Sequence, residues 1–227
     1  MTQVNRTQSR PLLLGHRGAK AYAPENSVAA FELCLAHGCD GFEFDVHLAH
    51  DGAVCCHDAD WNGRAVREHT RDALQLAGLA DALRFADRAF LDIELKECGI
   101  VSAEAQVLAA LDPARTIITS FNPDALQEAR QHAPSLPRGL ICDASTSLSL
   151  LNSVYVDAVV LHRTLVTDDI QQWLHGMNKQ LFVWTVNDAA DMRQFARMGV
   201  DAIISDDTKL LASTLRAGAI AHASGDE

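Results

Sequence analysis

Short apolar runs alternate with amphipathic stretches along the whole 227-residue chain. Eight runs have the length and the β-branched or aromatic content of strands: residues 12–14, 41–46, 90–95, 116–119, 138–141, 158–161, 181–185 and 202–204. Helical periodicity fills most of the intervals between them. In residues 27–37, Val28, Phe31 and Leu35 fall on one face, with Asn26 or Ser27 as cap and Gly38 as stop. Asn122 ahead of Pro123 predicts a capped helix over 124–132, because proline's missing N–H is harmless at the first helical position. Asn187 or Asp188 caps a further helix that carries Met192 and Phe195 and ends at Gly199. Alternation of this kind predicts an α/β fold with a parallel sheet. Eight repeats predict its closure into an eightfold (β/α) TIM barrel. An open nucleotide-binding sheet would place GxGxxG after its first strand, and that loop is absent.

No linker or low-complexity block divides the chain, so a single domain over 1–227 is expected, fraying at 1–10 and 218–227. The least regular stretch is 58–79, between the second and third strands. Net charge is −11 and the pI is near 5.3, which argues against nucleic acid as a partner, since that needs a cationic surface. An acidic protein that handles phosphate must gather positive charge locally, from a metal or a few Lys and Arg. The six cysteines (Cys34, Cys39, Cys55, Cys56, Cys98 and Cys142) form no CxxC pair and read as reduced thiols of a cytoplasmic protein. The polar first ten residues lack the apolar region of a signal peptide, and no apolar run is long enough for a membrane span. The sequence carries no signature of oligomeric state.

The chemistry concentrates on two strands. In Gly41-Phe42-Glu43-Phe44-Asp45-Val46, side chains alternate with period two. Phe42, Phe44 and Val46 face one way, under the helices of a barrel, while Glu43 and Asp45 face its interior. Two adjacent buried carboxylates repel and lose hydration, and a divalent cation relieves both problems. The other reading is a solvated strand face. The third strand puts Asp92, Glu94 and Lys96 on one face, where Glu94 offers a third oxygen ligand suited to Mg²⁺ or Ca²⁺. Lys96 then sits beside a metal-bound phosphate, or simply pairs with Glu94; Asp92, lower down, reads as structural. His16, between Gly15 and Gly18 after the first strand, and His57, after a hairpin turned by Asp51-Gly52, suit an acid–base pair. His162 ends the sixth strand and is placed to line a pocket. His47 turns away from the Glu43 face only if its strand ends at Val46.

In order along the chain stand Gly15-His16-Arg17-Gly18, Ala23-Pro24-Glu25-Asn26-Ser27, Glu43-Phe44-Asp45-Val46, Asp51-Gly52 and His57-Asp58. Ile93-Glu94-Leu95-Lys96, Ser120-Phe121-Asn122, Val183-Trp184-Thr185-Val186-Asn187 and Gly199-Val200-Asp201 follow. Together they resemble the glycerophosphodiester phosphodiesterase family, in particular its cytosolic bacterial members. The resemblance implies a barrel with its site at the carboxyl ends of the strands, and release of glycerol 3-phosphate and an alcohol from a small-molecule diester. It implies one divalent cation, Mg²⁺ or Ca²⁺, on Glu43, Asp45 and Glu94, and His16 and His57 as catalytic pair. Arg17, Lys96, Phe121 and Trp184 would contact substrate. The segment after His57 is shorter than the family's usual insertion, which shapes the headgroup pocket. Two other readings remain open: a lysophospholipase D, and a barrel that binds phosphodiesters without turnover.

Overall fold

The computed structural model describes residues 10–143 and 148–221. The strands are β1 (Leu12–His16), β2 (Gly41–Ala49), β3 (Gly52–Cys55), β4 (Asp60–Trp61), β5 (Arg64–Ala65), β6 (Phe90–Leu95), β7 (Thr116–Ser120), β8 (Arg138–Cys142), β9 (Ala158–His162), β10 (Gln180–Trp184) and β11 (Ala202–Ser205). The helices are α1 (Val28–Ala36), α2 (Arg71–Leu74), α3 (Leu79–Leu83), α4 (Ile100–Ala103), α5 (Ala105–Leu108), α6 (Pro123–His132), α7 (Asp168–Gly176), α8 (Ala189–Met198) and α9 (Thr208–Ala221). Parallel pairing runs β1-β2-β6-β7-β8-β9-β10-β11, and β11 pairs back with β1. The eight predicted strands therefore close into the expected TIM barrel. Strand β3 is appended, antiparallel to the far end of β2, as Val46↔Cys55 through Ala49↔Gly52.

The alternation expected of β2 holds. Phe42 and Phe44 belong to the outer core between barrel and helices, where Phe31 of α1 stacks on Phe42 at 4.3 Å. The barrel interior is a separate apolar cluster of Leu14, Ile117, Ile141, Ala158, Val160, Phe182, Ala202 and Ile204. A third, small core of Ala49, Val54, Cys56, Val66 and Leu74 pins the stretch 58–79, which folds as the β4–β5 hairpin, a single 3₁₀ turn and α2.

Several details differ from the sequence reading. The buried face of α1 is Ala30, Phe31 and Cys34, with Val28 and Leu35 at its margins. Ser27 caps α1, accepting from the Ala30 amide at 3.1 Å; Asp188, not Asn187, caps α8. His16 is the last residue of β1 rather than part of the turn after it. Of the ends expected to fray, 1–9 and 222–227 lie outside the described residues; Arg10 is paired with Asp40 and α9 continues to Ala221. The six cysteines are unpaired thiols, all buried except Cys98.

Close strand approach makes one glycine a steric requirement. A Cβ at Gly41 would sit 1.9 Å from the Phe90 carbonyl oxygen, whereas one at Gly176, at the end of α7, meets nothing within 4 Å. Gly41→Ala should therefore destabilise by roughly 1–3 kcal/mol or more. Gly176→Ala should stabilise slightly, by at most ~0.5–1 kcal/mol, through reduced backbone entropy in the unfolded chain. Urea unfolding of both variants checks the opposite signs; equal effects would contradict the packing account.

Candidate active site

The carboxyl ends of the strands open on a cavity of about 110 Å³. It is lined by His16, Arg17, Glu43, His57, Asp92, Glu94, Lys96, Thr119, Phe121, Ile141, Val160, Trp184 and Ile204. Eight of the nine candidate site residues are in that lining; the ninth, Asp45, is 1% exposed and lies behind it against Arg17 and Lys96. A larger surface groove, about 410 Å³ between Val166 and Met198, gathers none of them.

Register explains the convergence. Parallel pairing sets His16 beside Glu43, Glu43 beside Asp92, and Asp45 beside Glu94. Oxygens of Glu43, Asp45 and Glu94 all lie within 4.8 Å of one another. The chain turns sharply after His16, with Arg17 at φ 55° and Gly18 at φ 78°. A Cβ on Gly18 would strike the Ala30 backbone at 2.8 Å, so glycine is needed there. This turn aims the Arg17 amide at Glu43 Oε2, 2.9 Å away. Asn26, also left-handed, buries its amide against Asp45: Nδ2 donates to Oδ2 at 2.8 Å, and Oδ1 accepts from the Asp45 amide at 3.1 Å.

The two cations sit on the carboxylates. Lys96 Nζ donates to Glu94 Oε1 at 2.7 Å and to Asp45 Oδ1 at 3.2 Å, so the Glu94–Lys96 ion pair foreseen as an alternative is formed. Arg17 donates through Nη1 to Glu25 at 2.9 Å. Its Nε lies 3.1 Å from Asp45 Oδ2, close enough for attraction but not aligned to donate, and has no hydrogen-bond partner. Burial raises the Asp45 carboxyl, but Lys96, Arg17 and the Asn26 hydrogen bond outweigh it and hold it below the usual range. Burial, with Asp45, Glu94 and Asp92 adding to it, pushes Glu43 well up. Asp92 is fully buried; Thr119 Oγ1 donates to its Oδ1 at 2.6 Å, while its Oδ2 has no partner. Burial raises Asp92 to about 7 against that hydrogen bond, and raises Glu94 to about 7 with Asp45 adding and Lys96 opposing.

This donor set fits a divalent cation. Glu43, Asp45, Asp92 and Glu94 face Arg17 and Lys96, four carboxyls against two cations, and Glu43 Oε1 is buried with no partner. Hard oxygen ligands at this spacing suit Mg²⁺ or Ca²⁺.

The histidines are held differently. His16 Nδ1 lies 2.6 Å from Asp206 Oδ1, and its Nε2 lies 4.0 Å from Glu43 Oε2. The carboxylate only accepts, so Nδ1 carries hydrogen and, in the neutral ring, Nε2 is the basic nitrogen. Asn187 fixes Asp206 in turn, donating to its Oδ2 at 2.7 Å and accepting from its amide at 2.9 Å. Burial raises Asp206, but the bonds to His16 and Asn187 hold it below the usual carboxylate range. The sequence reading missed Asp206; the available signal was a carboxylate just past the last strand, level with the His16 end of β1. His57 donates from Nδ1 to the exposed Asp58 at 2.8 Å and is itself about two-fifths exposed, at 38% of its side chain. Phe121 and Trp184 meet edge to face at 5.7 Å, and His162 packs edge-on against Trp184 at 5.4 Å, so His162 stands beside the mouth. Strand β2 does not end at Val46, so His47 keeps the Glu43 parity and stays buried.

A parallel barrel with titratable groups at the carboxyl ends of its strands defines an enzyme-type site. The chain matches the glycerophosphoryl diester phosphodiesterase family over residues 16–97 and 89–210. It is 31% identical to a glycerophosphodiester phosphodiesterase of Caldanaerobacter subterraneus subsp. tengcongensis, over 92% of this chain and 99% of that one. A glycerophosphodiester phosphodiesterase of Agrobacterium tumefaciens superposes with TM-score 0.76 at 26% identity, over 89% of this chain and 99% of its own. An Oleispira antarctica phosphodiesterase, solved with the product sn-glycerol-3-phosphate, superposes with TM-score 0.80 at 22% identity, over 91% and 97%. The chain belongs to the glycerophosphoryl diester phosphodiesterase family. Among the described residues, no helix is long and apolar enough to cross a membrane.

Two buried acids near 7 give a pH dependence. The folded state retains a proton on Asp92 that the unfolded chain releases near its ordinary 3.8. The Asp92 contribution to the stability of the cation-free protein is therefore greatest in acid, falls as pH rises from about 4 to about 7, and then levels. Asp92→Asn removes its share of that fall, at most a few kcal/mol at ~1.4 kcal/mol per pKa unit. Urea unfolding in EDTA at about pH 5 and about pH 8 reads it; an unchanged slope in the variant would show that Asp92 titrates normally.

Proposed function

We propose that this chain hydrolyses glycerophosphodiesters to glycerol 3-phosphate and an alcohol, using His16 and His57 as acid–base pair and one divalent cation, Mg²⁺ or Ca²⁺, at Glu43, Asp45 and Glu94. The observation that carries this is the meeting of two histidines, two cations, Glu43 and Glu94 in one cavity, with Asp45 directly behind its wall, at the strand ends of a barrel of this family. The product bound to the Oleispira relative supports the assignment of glycerol 3-phosphate. When bound, the cation supplies Lewis-acid polarisation of a phosphoryl oxygen.

The chain's own groups do the rest. Arg17 and Lys96 supply fixed positive charge beside the carboxylates, where phosphoryl charge must be stabilised. His16 takes the proton of the attacking hydroxyl at Nε2, because Asp206 on Nδ1 stabilises the imidazolium that forms. His57, at the open side, returns a proton to the leaving alkoxide. The nucleophile is water, or the neighbouring hydroxyl of the glycerol moiety, whose attack expels the alcohol and leaves a cyclic phosphate that a water molecule then opens to glycerol 3-phosphate. Phe121 and Trp184 wall the mouth against bulk water, and the short segment after His57 leaves room there for varied headgroups.

Release of glycerol 3-phosphate from glycerophosphocholine should stop in EDTA and return with Mg²⁺ or Ca²⁺; turnover indifferent to chelation would remove the cation from the mechanism. His16→Ala and His57→Ala should each lower kcat by ~10²–10⁴. Asp206→Asn should lower kcat by roughly 10–100-fold, the scale of a lost orienting partner. Lysophosphatidylcholine turned over faster than glycerophosphocholine would favour the lysophospholipase D reading instead.

A further inference from the structure

His57 has little of its own to hold it. Among the described residues its ring bonds only the adjacent Asp58, which is 80% exposed, and it follows the short strand β3. Beneath it lies His47, 6% exposed, on the same face of β2 as Glu43 and Asp45. His47 Nε2 lies 3.3 Å from the His57 carbonyl oxygen. The other ring nitrogen, Nδ1, lies 3.0 Å from Glu97 Oε1, which also accepts from the Leu48 amide at 3.0 Å. A carbonyl and a carboxylate only accept, so holding both partners takes a hydrogen on each ring nitrogen. Glu97 Oε2 lies 3.6 Å from Arg67, in the segment that follows His57. Glu97 is the next residue after Lys96, whose amide donates to the Val46 carbonyl at 3.1 Å. One buried imidazole thus spans the backbone of His57 and the loop that carries Lys96.

We infer that His47, anchored by Glu97, is a positioning residue that sets the height and orientation of His57 over the carboxylate cluster. It touches neither substrate nor reacting atoms. The inference rests on the acid–base role proposed for His57. Without this link, His57 would be placed by β3, by the buried Cys56 before it, whose amide donates to the Asp45 carbonyl at 3.1 Å, and by a solvent-screened bond to Asp58. Errors of about 1 Å in the placement of a catalytic group cost up to ~10²-fold in rate.

The test uses His47→Leu, which keeps bulk and loses both bonds, and His47→Gln, whose amide N–H reaches the place of Nε2. With glycerophosphocholine, His47→Leu should lower kcat by about 10–100-fold with KM within about twofold. His47→Gln should recover most of that loss. Glu97→Ala, at a part-exposed position, should give the same kcat-selective loss and serves if His47→Leu does not fold. In parallel, the ¹H–¹³C signal of the His57 ring, assigned by its disappearance in His57→Ala, should be single in the starting protein and His47→Gln, and broadened or split in His47→Leu or Glu97→Ala. Unchanged kcat and unchanged ring signals in the variants would overturn the inference. So would equal losses in His47→Leu and His47→Gln accompanied by raised KM and lowered unfolding midpoints, which mark a fold pin. If the starting protein releases no glycerol 3-phosphate, the proposed function fails, and the ring signals alone decide the positioning role.

Discussion

Burying four carboxyl groups on two adjacent strands is the constraint from which the rest of this barrel follows. Register makes the problem acute: Glu43 stands beside Asp92, and Asp45 beside Glu94. Each buried ion costs several kcal/mol unless it is compensated. The chain meets that cost with local devices. A left-handed turn delivers the Arg17 amide to Glu43, Asn26 gives both ends of its amide to Asp45, Lys96 bridges Asp45 and Glu94, and Thr119 serves Asp92. What these leave over is itself informative. Glu43 Oε1 and Asp92 Oδ2 remain without partners, and two cations face four acids. A cluster tuned only for stability would not leave buried oxygens orphaned. One held open for a divalent cation would.

The apolar framework confines this polar cluster to one quarter of the barrel. Strands β8 to β11 contribute Ile141, Val160, Phe182, Ala202 and Ile204 to the interior, so the opposite wall is apolar and low in polarisability. Charges facing such a wall interact more strongly than in water. Behind β2, the stack of Phe31, Phe42 and Phe44 fills the space under α1 and leaves the strand little freedom to shift. Rigid packing on one face and charge on the other is what period-two alternation achieves here.

That same alternation is why so much was legible in the sequence. The eight barrel strands, the inward set of Glu43, Asp45 and Glu94, and the hairpin that carries His57 all follow from period, turn chemistry and charge. The divided choices are instructive too. Asn26 and Ser27 were equal candidates for one cap, yet Ser27 caps while Asn26 is drawn to Asp45. Asn187 likewise gives its capping role to Asp188 and holds Asp206 instead. A carboxylate of the site draws the amide away from the helix end in both cases, and no local pattern announces it. Asp206 itself was hidden for the same reason: it lies 190 positions from His16, and only closure of the barrel joins the last strand to the first. The apolar run ends at Val46, three residues short of Ala49, and so leaves open which way His47 turns.

The two histidines are held unequally, as the two proton transfers of the proposed mechanism would require. His16 ends a central strand, and its carboxylate partner is half-buried and doubly held by Asn187. That carboxylate holds the hydrogen on Nδ1 and leaves Nε2 to face Glu43 and the cavity. His57 stands at the open side, its ring partner screened by solvent, where an alcohol product can depart. In the proposed role a donor there would be re-protonated between turnovers, and exposure to water would serve that. Its placement then has to come from the backbone rather than from its ring partner, and the buried side chain below its carbonyl is His47. On the positioning role inferred for His47, the conflict between exposure and precision at His57 is met one layer down, on the same strand that carries Glu43 and Asp45.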